Sequence, residues 1–241
     1  MNDLRVLPVE GLPEVAEGME VGALIAARAE LEPGDIVVIS QKIVSKAEGQ
    51  VRRLQDVAPS EKAVELAKKL GKEPELVELI LSESREILRE DRVLITETHH
   101  GFVCANAGID SSNLPEEGTV CLLPADPDAS ARRIRAELQA AVVISDSFGR
   151  AWRLGQAEVA LGCAGLAPLA DWRGRKDSSG RELQATVIAI ADEIAAAADL
   201  VRVKDSGVPA AIVRGLDHYV MAEDGPGAAA LHRPPGEDLF R

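Results

Sequence analysis

The chain has 241 residues and carries 40 Asp and Glu side chains against 27 Lys and Arg, for a formal net charge of −13 at pH 7. This acidity and an aromatic content of only 2% argue against a nucleic-acid-binding surface, which needs a basic face and stacking aromatics. No apolar run is long enough to span a bilayer, and the three widely spaced cysteines fit neither a metal-ligand pattern nor a disulfide framework. We therefore expect a cytoplasmic protein without nucleic-acid or membrane partners, in which local Lys/Arg clusters or metal ions hold any anionic substrate.

Apolar runs and helical spacing in the first half of the chain predict short strands alternating with helices. Strands are predicted at 4–9, 36–39, 93–96, 100–105 and 120–123, and helices at 21–29, 60–70 and 74–87. Ser60 and Gly71 are the start and stop signals of the second helix. The small, polar segment 105–113 is predicted to be a loop whose backbone can approach a ligand closely.

The second half of the chain predicts a helix between two buried strands and a further long helix. Asp126 and Pro127 are an N-cap residue and a first-turn proline, so a helix is expected from there through Leu138. Strands are predicted at 141–144 and 210–213, a long helix at 183–201, and an irregular tail from residue 222. The Ala- and Gly-rich stretch 155–169 is typical either of tight packing between elements or of an obligate interface.

Polar residues follow the apolar run 141–144, where we expect the strand to end. Ser145-Asp146-Ser147 would place a carboxylate and a hydroxyl there, Gly149 would turn the chain, and Arg150 and Arg153 follow. These groups suit a metal–phosphate site, because hard cations bind carboxylates and hydroxyls while guanidinium groups bind phosphate. The alternative is a turn-forming Asp with solvated arginines, and this stretch alone favours neither hypothesis.

Residues 171–181, called the basic loop below, are the densest cluster of positive charge in this acidic chain. The loop precedes the predicted helix at 183–201, and a basic segment at a helix N-terminus is a natural anion site. The alternative is that its charges merely decorate a loop. The acidity of the rest of the chain favours the anion site.

The chain lacks several familiar catalytic motifs. It has no G-x-x-x-x-G-K-[ST] P-loop, no G-x-G-x-x-G after a strand, no H-E-x-x-H and no G-x-S-x-G elbow, which disfavours a conventional NTPase, dehydrogenase, metalloprotease or serine hydrolase. The remaining chemistry is acidic, hydroxylic and basic. Asp110, Asp146 and Ser147 are the candidates for metal binding, and Lys46 and the Arg175 cluster are the candidates for phosphate binding.

Seven stretches in colinear order together resemble one known family. They are V-E-G-L-P at 9–13, I-V-S-K-A-E-G at 43–49, C-A-N-A-G-I-D-S-S-N at 104–113, L-L-P-A-D-P-D-A-S-A at 122–131, S-D-S-F-G-R-A-W-R at 145–153, D-W-R-G-R-K-D-S-S-G-R-E-L at 171–183 and V-P-A-A-I-V-R-G-L at 208–216. This pattern is similar to that of the coenzyme F-420:L-glutamate ligases, also called F-420-0:gamma-glutamyl ligases.

The resemblance implies an α+β fold with mixed sheets and packed helices, built from two intimate subdomains and assembled as an intertwined homodimer. It implies a catalytic domain at 1–221 followed by the irregular tail at 222–241. The implied reaction joins L-glutamate to the deazaflavin precursor F-420-0 through an acyl phosphate. It would use GTP as co-substrate and Mg²⁺ or Mn²⁺ as cofactor, with K⁺ as a further candidate. The alternatives are a GTP- and metal-dependent phosphoryl or nucleotidyl transferase acting on another anionic acceptor, and a non-catalytic GTP-binding partner protein.

The matched motifs also imply site residues. The implied metal ligands are Asp110, Asp146 and Ser147, and the implied catalytic residues are Lys46, Arg150 and Arg175. The implied nucleotide contacts are Glu10, Gly11, Leu12, Pro13, Ser40, Gln41, Lys46, Asn113, Lys204 and Gly207. The segment 202–207 departs from the family pattern, in which an acidic metal ligand is common, so Asp205 is not assigned to the metal.

Overall fold

The structure is a computed structural model that describes residues 3–238. Its strands are β1 (Arg5–Pro8), β2 (Ile36–Ser40), β3 (Val51–Arg53), β4 (Ser84–Glu90), β5 (Leu94–Thr98), β6 (Val103–Ala105), β7 (Thr119–Cys121), β8 (Ala141–Arg150), β9 (Arg153–Ala164), β10 (Ala170–Asp171), β11 (Val187–Ile188) and β12 (Ala210–Arg214). Its α-helices are α1 (Val21–Ala26), α2 (Gln41–Ala47), α3 (Glu61–Leu70), α4 (Pro74–Ser82), α5 (Pro127–Leu138) and α6 (Ile190–Asp199). Among these residues, no helix has the length and apolar character needed to cross a membrane.

The largest sheet has the strand order β1-β12-β2-β8-β9. Strands β2 and β8 pair in parallel and the other neighbours pair antiparallel, so the sheet is mixed. Strand β2 and the first half of β8 are apolar and buried on both faces, as continuous apolar runs predict. Residues such as Val37 and Val142 pack against α1, α2 and α5, whereas Ile36 and Val143 pack against α6.

A second, antiparallel sheet, β4-β5-β6, packs with α3 and α4 around a smaller core. The Oγ atom of Ser60 accepts the N–H of Ala63 at 3.2 Å, and Gly71 takes a left-handed conformation after the last turn of α3. Both end signals read from the sequence are therefore confirmed. Two strand pairs, β3-β7 and β10-β11, complete the sheets, and the α+β class with mixed sheets is confirmed.

The largest differences from the prediction in the first half of the chain lie at the end of α4 and after β2. Helix α4 ends at Ser82, so Ile87 lies in β4 and not on the predicted helical stripe. Its pairing with Thr96 on β5 outweighs the helical spacing. The segment after β2, for which no helix is predicted, forms α2.

Strand β8 does not end after Ile144, as its polar continuation had suggested. It runs to Arg150 because β9 pairs with it along almost its whole length, and the chain turns instead at Trp152, whose φ is 58°. Gly149 lies inside the strand. The Ala- and Gly-rich stretch forms much of β9, and tight packing is confirmed at Gly162, where an added Cβ would lie 2.2 Å from the carbonyl oxygen of Pro127.

Helix α6 begins at Ile190, so the prediction of a helix from residue 183 was wrong at its start. The residues just before α6 include β11, which pairs with β10. The basic loop therefore joins two short strands and does not lie at a helix N-terminus.

The segment from residue 222 has no strand or α-helix within the described range, as predicted, yet it docks on the core. The carboxylate of Asp128 accepts three backbone N–H groups, from Cys163 at 2.9 Å, Ala228 at 2.7 Å and Ala229 at 3.2 Å. Ala228 is fully buried.

Candidate functional site

Five separate segments line a cavity of about 670 Å³, called the cavity below. Its lining comes from 12–15, 40–46, 110–115, Asp146 with Glu158, and 199–209. Strand β2 ends at the cavity with Ser40, and α2 follows directly. Residues four apart share a helix face, so α2 presents Lys42 and Lys46 to the cavity together.

The two lysines of α2 connect the segments that form one wall. The Nζ atom of Lys42 donates to Oδ2 of Asp110 at 2.6 Å and to the carbonyl oxygen of Ser112 at 2.7 Å. The Nζ atom of Lys46 donates to Oε1 of Glu14 at 2.5 Å and to the carbonyl oxygen of Asn113 at 3.0 Å. Positive charge is thus held in fixed positions where phosphate oxygens could bind.

The charge state of Asp110 reflects these contacts. Burial raises the pKa of its carboxyl, but the hydrogen bonds from Lys42 and Ser112 outweigh burial and bring the pKa below its ordinary value. Asp110 is therefore a carboxylate at neutral pH, and it would have to exchange contacts with Lys42 and Ser112 in order to bind a metal ion.

Another part of the lining carries a hydrogen-bonded cluster on the β8-β9 pair. Oε1 of Glu158 accepts the hydroxyl of Ser147 at 2.6 Å, while Oε2 accepts the hydroxyl of Ser145 at 2.6 Å and Nη2 of Arg202 at 2.9 Å. Lys204 donates to Oγ of Ser147 at 2.6 Å. Only 6% of the Glu158 side chain and 4% of the Arg202 side chain are exposed, so this ion pair is buried.

Negative charge concentrates around Asp146. Burial and the nearby charge of Glu158 raise the pKa of the Asp146 carboxyl to about 7, and the charge of Asp110 acts in the same direction. Three carboxyl groups therefore influence one another here, and a bound cation would relieve their repulsion.

The donor chemistry fits a hard divalent cation that shares its ligands with a substrate. Residues 3–238 contain no group of three or more His, Cys, Asp or Glu side chains placed to hold a metal ion by themselves. Mg²⁺ in phosphate sites, however, commonly uses one or two carboxylates together with phosphate oxygens and waters. Asp110 and Asp146 supply such carboxylates. The hydroxyl of Ser147 would have to exchange its bonds to Glu158 and Lys204 in order to bind a metal.

Most of the residues predicted to contact nucleotide lie around this cavity. The lining includes Leu12, Pro13, Ser40, Lys46, Asn113, Lys204 and Gly207. Gln41 is fully buried beside it, where its Oε1 accepts the hydroxyl of Ser45 at 2.9 Å. Glu10 and Gly11 precede the lining segment and are not part of the lining.

The two arginines predicted to be catalytic lie elsewhere in this chain. The guanidinium of Arg150 donates to the carbonyl oxygen of Leu154 at 2.6 Å, across the β8-β9 turn. The guanidinium of Arg175 stacks on the ring of Trp172 at 4.3 Å within the basic loop. Neither residue lines the cavity, and their catalytic roles stay predictions.

Five charged residues of the cavity walls were not found from the sequence: Glu14, Lys42, Glu158, Asp199 and Arg202. A signal existed for Lys42, which lies one helical turn before Lys46. For Glu158, the signal is that it is the one acidic residue of β9 and directly precedes the apolar part of that strand.

Comparison with known proteins gives a consistent result. Residues 11–215 match the family model described as "F420-0:Gamma-glutamyl ligase". A protein of Methanothermobacter thermautotrophicus named "Coenzyme F420:L-glutamate ligase" is 46% identical over 99% of this chain and 99% of its own length. Proteins with the same name from Archaeoglobus fulgidus and Methanocaldococcus jannaschii are 42% and 44% identical, over 99% and 90% of this chain and 96% and 88% of their own lengths.

Proposed function

Since this chain belongs to the F-420-0:gamma-glutamyl ligase family and is thus an amide-forming ligase, we propose that it joins L-glutamate to F-420-0 in coenzyme F-420 biosynthesis. We propose that GTP supplies the energy and that Mg²⁺ or Mn²⁺ is required. The resemblance that the sequence motifs predicted is confirmed.

The observation that carries this proposal is the convergence of charged groups on the cavity. Lys46 and Asn113 come together there with Lys204, although they are distant in sequence. The carboxylates of Asp110 and Asp146 face the same space. Fixed cationic groups next to paired carboxylates suit a nucleotide triphosphate with its metal ion.

The proposed reaction follows from the weak reactivity of a carboxylate. Transfer of the γ-phosphoryl group of GTP to a carboxylate oxygen of F-420-0 gives an acyl phosphate and GDP. The glutamate amine then attacks the acyl carbon, phosphate leaves with the C–O bond electrons, and the amine loses a proton. Lys46 and Lys204 would hold phosphate oxygens during these steps. A divalent cation held by Asp110 and Asp146 would supply neutralisation of the phosphate charge.

Mass spectrometry tests the proposal. The protein is incubated with F-420-0, GTP, Mn²⁺ or Mg²⁺ and L-glutamate, and the product is expected to gain one or more glutamyl residues. Omission of GTP, or chelation of the metal, should abolish the gain. A phosphoryl or nucleotidyl transferase would instead release GDP or diphosphate without incorporating glutamate, and a binding protein would bind GTP without turnover.

We also propose that the protein is a homodimer. At the β8-β9 turn, Trp152 is 82% exposed and Leu154 is 97% exposed, and two such exposed large apolar side chains on one hairpin are unusual. Light scattering at micromolar concentration should give twice the monomer mass. Leu154→Glu should shift the mass towards the monomer, whereas Leu4→Glu, at another exposed apolar position, should leave the dimer intact. A monomeric wild-type protein with full activity would contradict this.

A further inference from the structure

Arg202 occupies an unusual position in the wall of the cavity. It follows α6 and is one of the few charged residues of the chain that are almost completely buried. A guanidinium stays protonated under all ordinary conditions, so its burial requires partners for its N–H groups.

Arg202 has fewer partners than its burial demands. Its Nη2 atom donates to Oε2 of Glu158 and to Oγ of Ser145, both at 2.9 Å. Its Nε and Nη1 atoms are buried and have no hydrogen-bond partner within residues 3–238. Glu158, in contrast, accepts hydrogen bonds from three groups. The donors without a partner in this cluster are therefore on Arg202.

Arg214 shows how a structural arginine of this protein is held. Its Nε and Nη2 atoms each donate to the carboxylate of Asp35 at 2.7 Å, and its Nη1 atom donates to Glu32. All three nitrogens therefore have protein partners. If Arg202 served only to pair with Glu158 and to close the end of α6, a comparable arrangement would be expected.

We propose that Arg202 binds an oxyanion of a substrate and that Glu158 is the residue that positions its guanidinium. Lys204 lies on the same wall, two residues further on, and adds a second positive charge. The shared chemistry is a phosphate or carboxylate oxygen, from the terminal phosphate of the nucleotide or from a carboxylate of an acceptor substrate. Because Nε and Nη1 are covered, contact with this oxyanion requires a local shift of the surrounding side chains. This inference rests on the proposed function and adds Arg202 to the site residues that the family resemblance implies.

Arg202→Lys is the first test, because it keeps the positive charge beside Glu158 and removes the additional N–H groups. Melting temperatures are measured for wild type and variant with GTP, GDP, L-glutamate, F-420-0 or inorganic phosphate, together with KM and kcat for each substrate. We expect a melting temperature close to wild type without ligand. One of the substrates should lose its stabilisation, and its KM should rise roughly 10-fold or more, because a charged hydrogen bond is lost. Arg214→Lys should leave every KM unchanged.

The pattern of loss identifies the source of the oxyanion. If GTP no longer raises the melting temperature of Arg202→Lys while GDP still does, Arg202 binds the terminal phosphate. If L-glutamate or F-420-0 no longer raises it, Arg202 binds a carboxylate of that substrate. Wild-type KM values and melting shifts for every ligand in Arg202→Lys would overturn the proposal. So would a wild-type protein that none of these ligands stabilises.

A second variant covers the case in which Arg202→Lys does not fold. Arg202→Gln combined with Glu158→Gln replaces the buried ion pair by a neutral pair, so that neither charge is left buried without its partner. Loss of a negative charge should by itself favour anion binding, so weaker binding in this double variant is attributable to Arg202. Unchanged binding would overturn the proposal. Absence of ligation by the wild type would reject the proposed function instead, and the melting shifts would still decide the role of Arg202.

Discussion

The walls of the cavity and the basic loop are both rich in positive charge, in a chain whose net charge is −13. In the cavity, Lys46 is 7% exposed and Arg202 is 6% exposed, and both contact residues far away in sequence. In the basic loop, Arg173 bonds the carboxylate of Asp171 only two residues away, and its hydrogen bonds lower the pKa of Asp171 to about 2. Arg175 stacks on a tryptophan of the same loop.

The difference shows that the density of Lys and Arg along the sequence is a poor guide to where an anion binds. The basic loop satisfies its charges locally and in solvent, where ion pairs contribute little. The cavity assembles its charges from distant segments and buries them, which costs free energy that ion pairing offsets only in part. Buried positive charge next to buried negative charge therefore indicates the candidate site better than local basicity does.

The change Asp146→Asn should have the largest effect. The amide keeps the shape and one acceptor oxygen but removes the charge on which a hard cation depends. We expect a melting temperature close to wild type without ligand, loss of the stabilisation given by GTP with Mn²⁺, and a ligation rate lower by orders of magnitude. Thermal melting and the ligation assay measure both quantities.

Asp171→Asn in the basic loop is the matched control for that change. It likewise removes a carboxylate, here one that is bonded to Arg173 in an exposed segment, so activity should stay within a few-fold of wild type. Near-normal ligation by Asp146→Asn would show that Asp146 does not belong to the site. The proposed difference between the cavity and the basic loop would then fail.

The change Lys46→Ala should have an intermediate effect. Its partner Glu14 has a side chain that is 68% exposed, so water can replace the lost ion pair and the fold should persist. We expect GTP affinity to fall roughly 10-fold or more, because a charge-assisted contact to phosphate is lost. Titration calorimetry compares it with Lys69→Ala, which removes an exposed ion pair with Glu90. Equal GTP affinity in the two variants would reject the nucleotide role.

The smallest effect is expected for Arg175→Ala. An exposed cation–π contact contributes about 0.5–1 kcal/mol, and within this chain the side chain does not reach the cavity. Ligation kinetics should change by a few-fold at most. A loss of a hundred-fold or more would instead support the catalytic role that the family resemblance implies, with the loop acting on the site of a second copy.

Much of the fold could be predicted where local chemistry decides the structure. Helix α3 follows from Ser60 and Gly71, and α5 follows from Asp126, whose side chain accepts the N–H of Ala129 at 2.9 Å. The end of β8 could not be predicted, because its polar residues stay extended only through pairing with β9. The start of α6 was missed for the same reason, since pairing of β11 with β10 competes with the helical spacing.

The candidate site was partly predictable, through motifs rather than through periodicity. Lys46, Asp110 and Asp146 were assigned from matched stretches, and the structure brings them to one cavity. Glu158 and Arg202 escaped because their roles depend on distant contacts. The β8-β9 register places Glu158 opposite Ser147, and Arg202 meets Glu158 across 44 positions of sequence.

The hydrogen-bond partners of the Asp128 carboxylate are synthesised at very different times. Its oxygens accept N–H groups from Cys163 on β9 and from Ala228, and the latter lies 100 positions later in the chain. A growing polypeptide therefore exposes this carboxylate long before its final partner has been synthesised. Fusions and truncations that alter residues 222–229 would remove hydrogen-bond partners from a side chain near the start of α5 that also holds the end of β9.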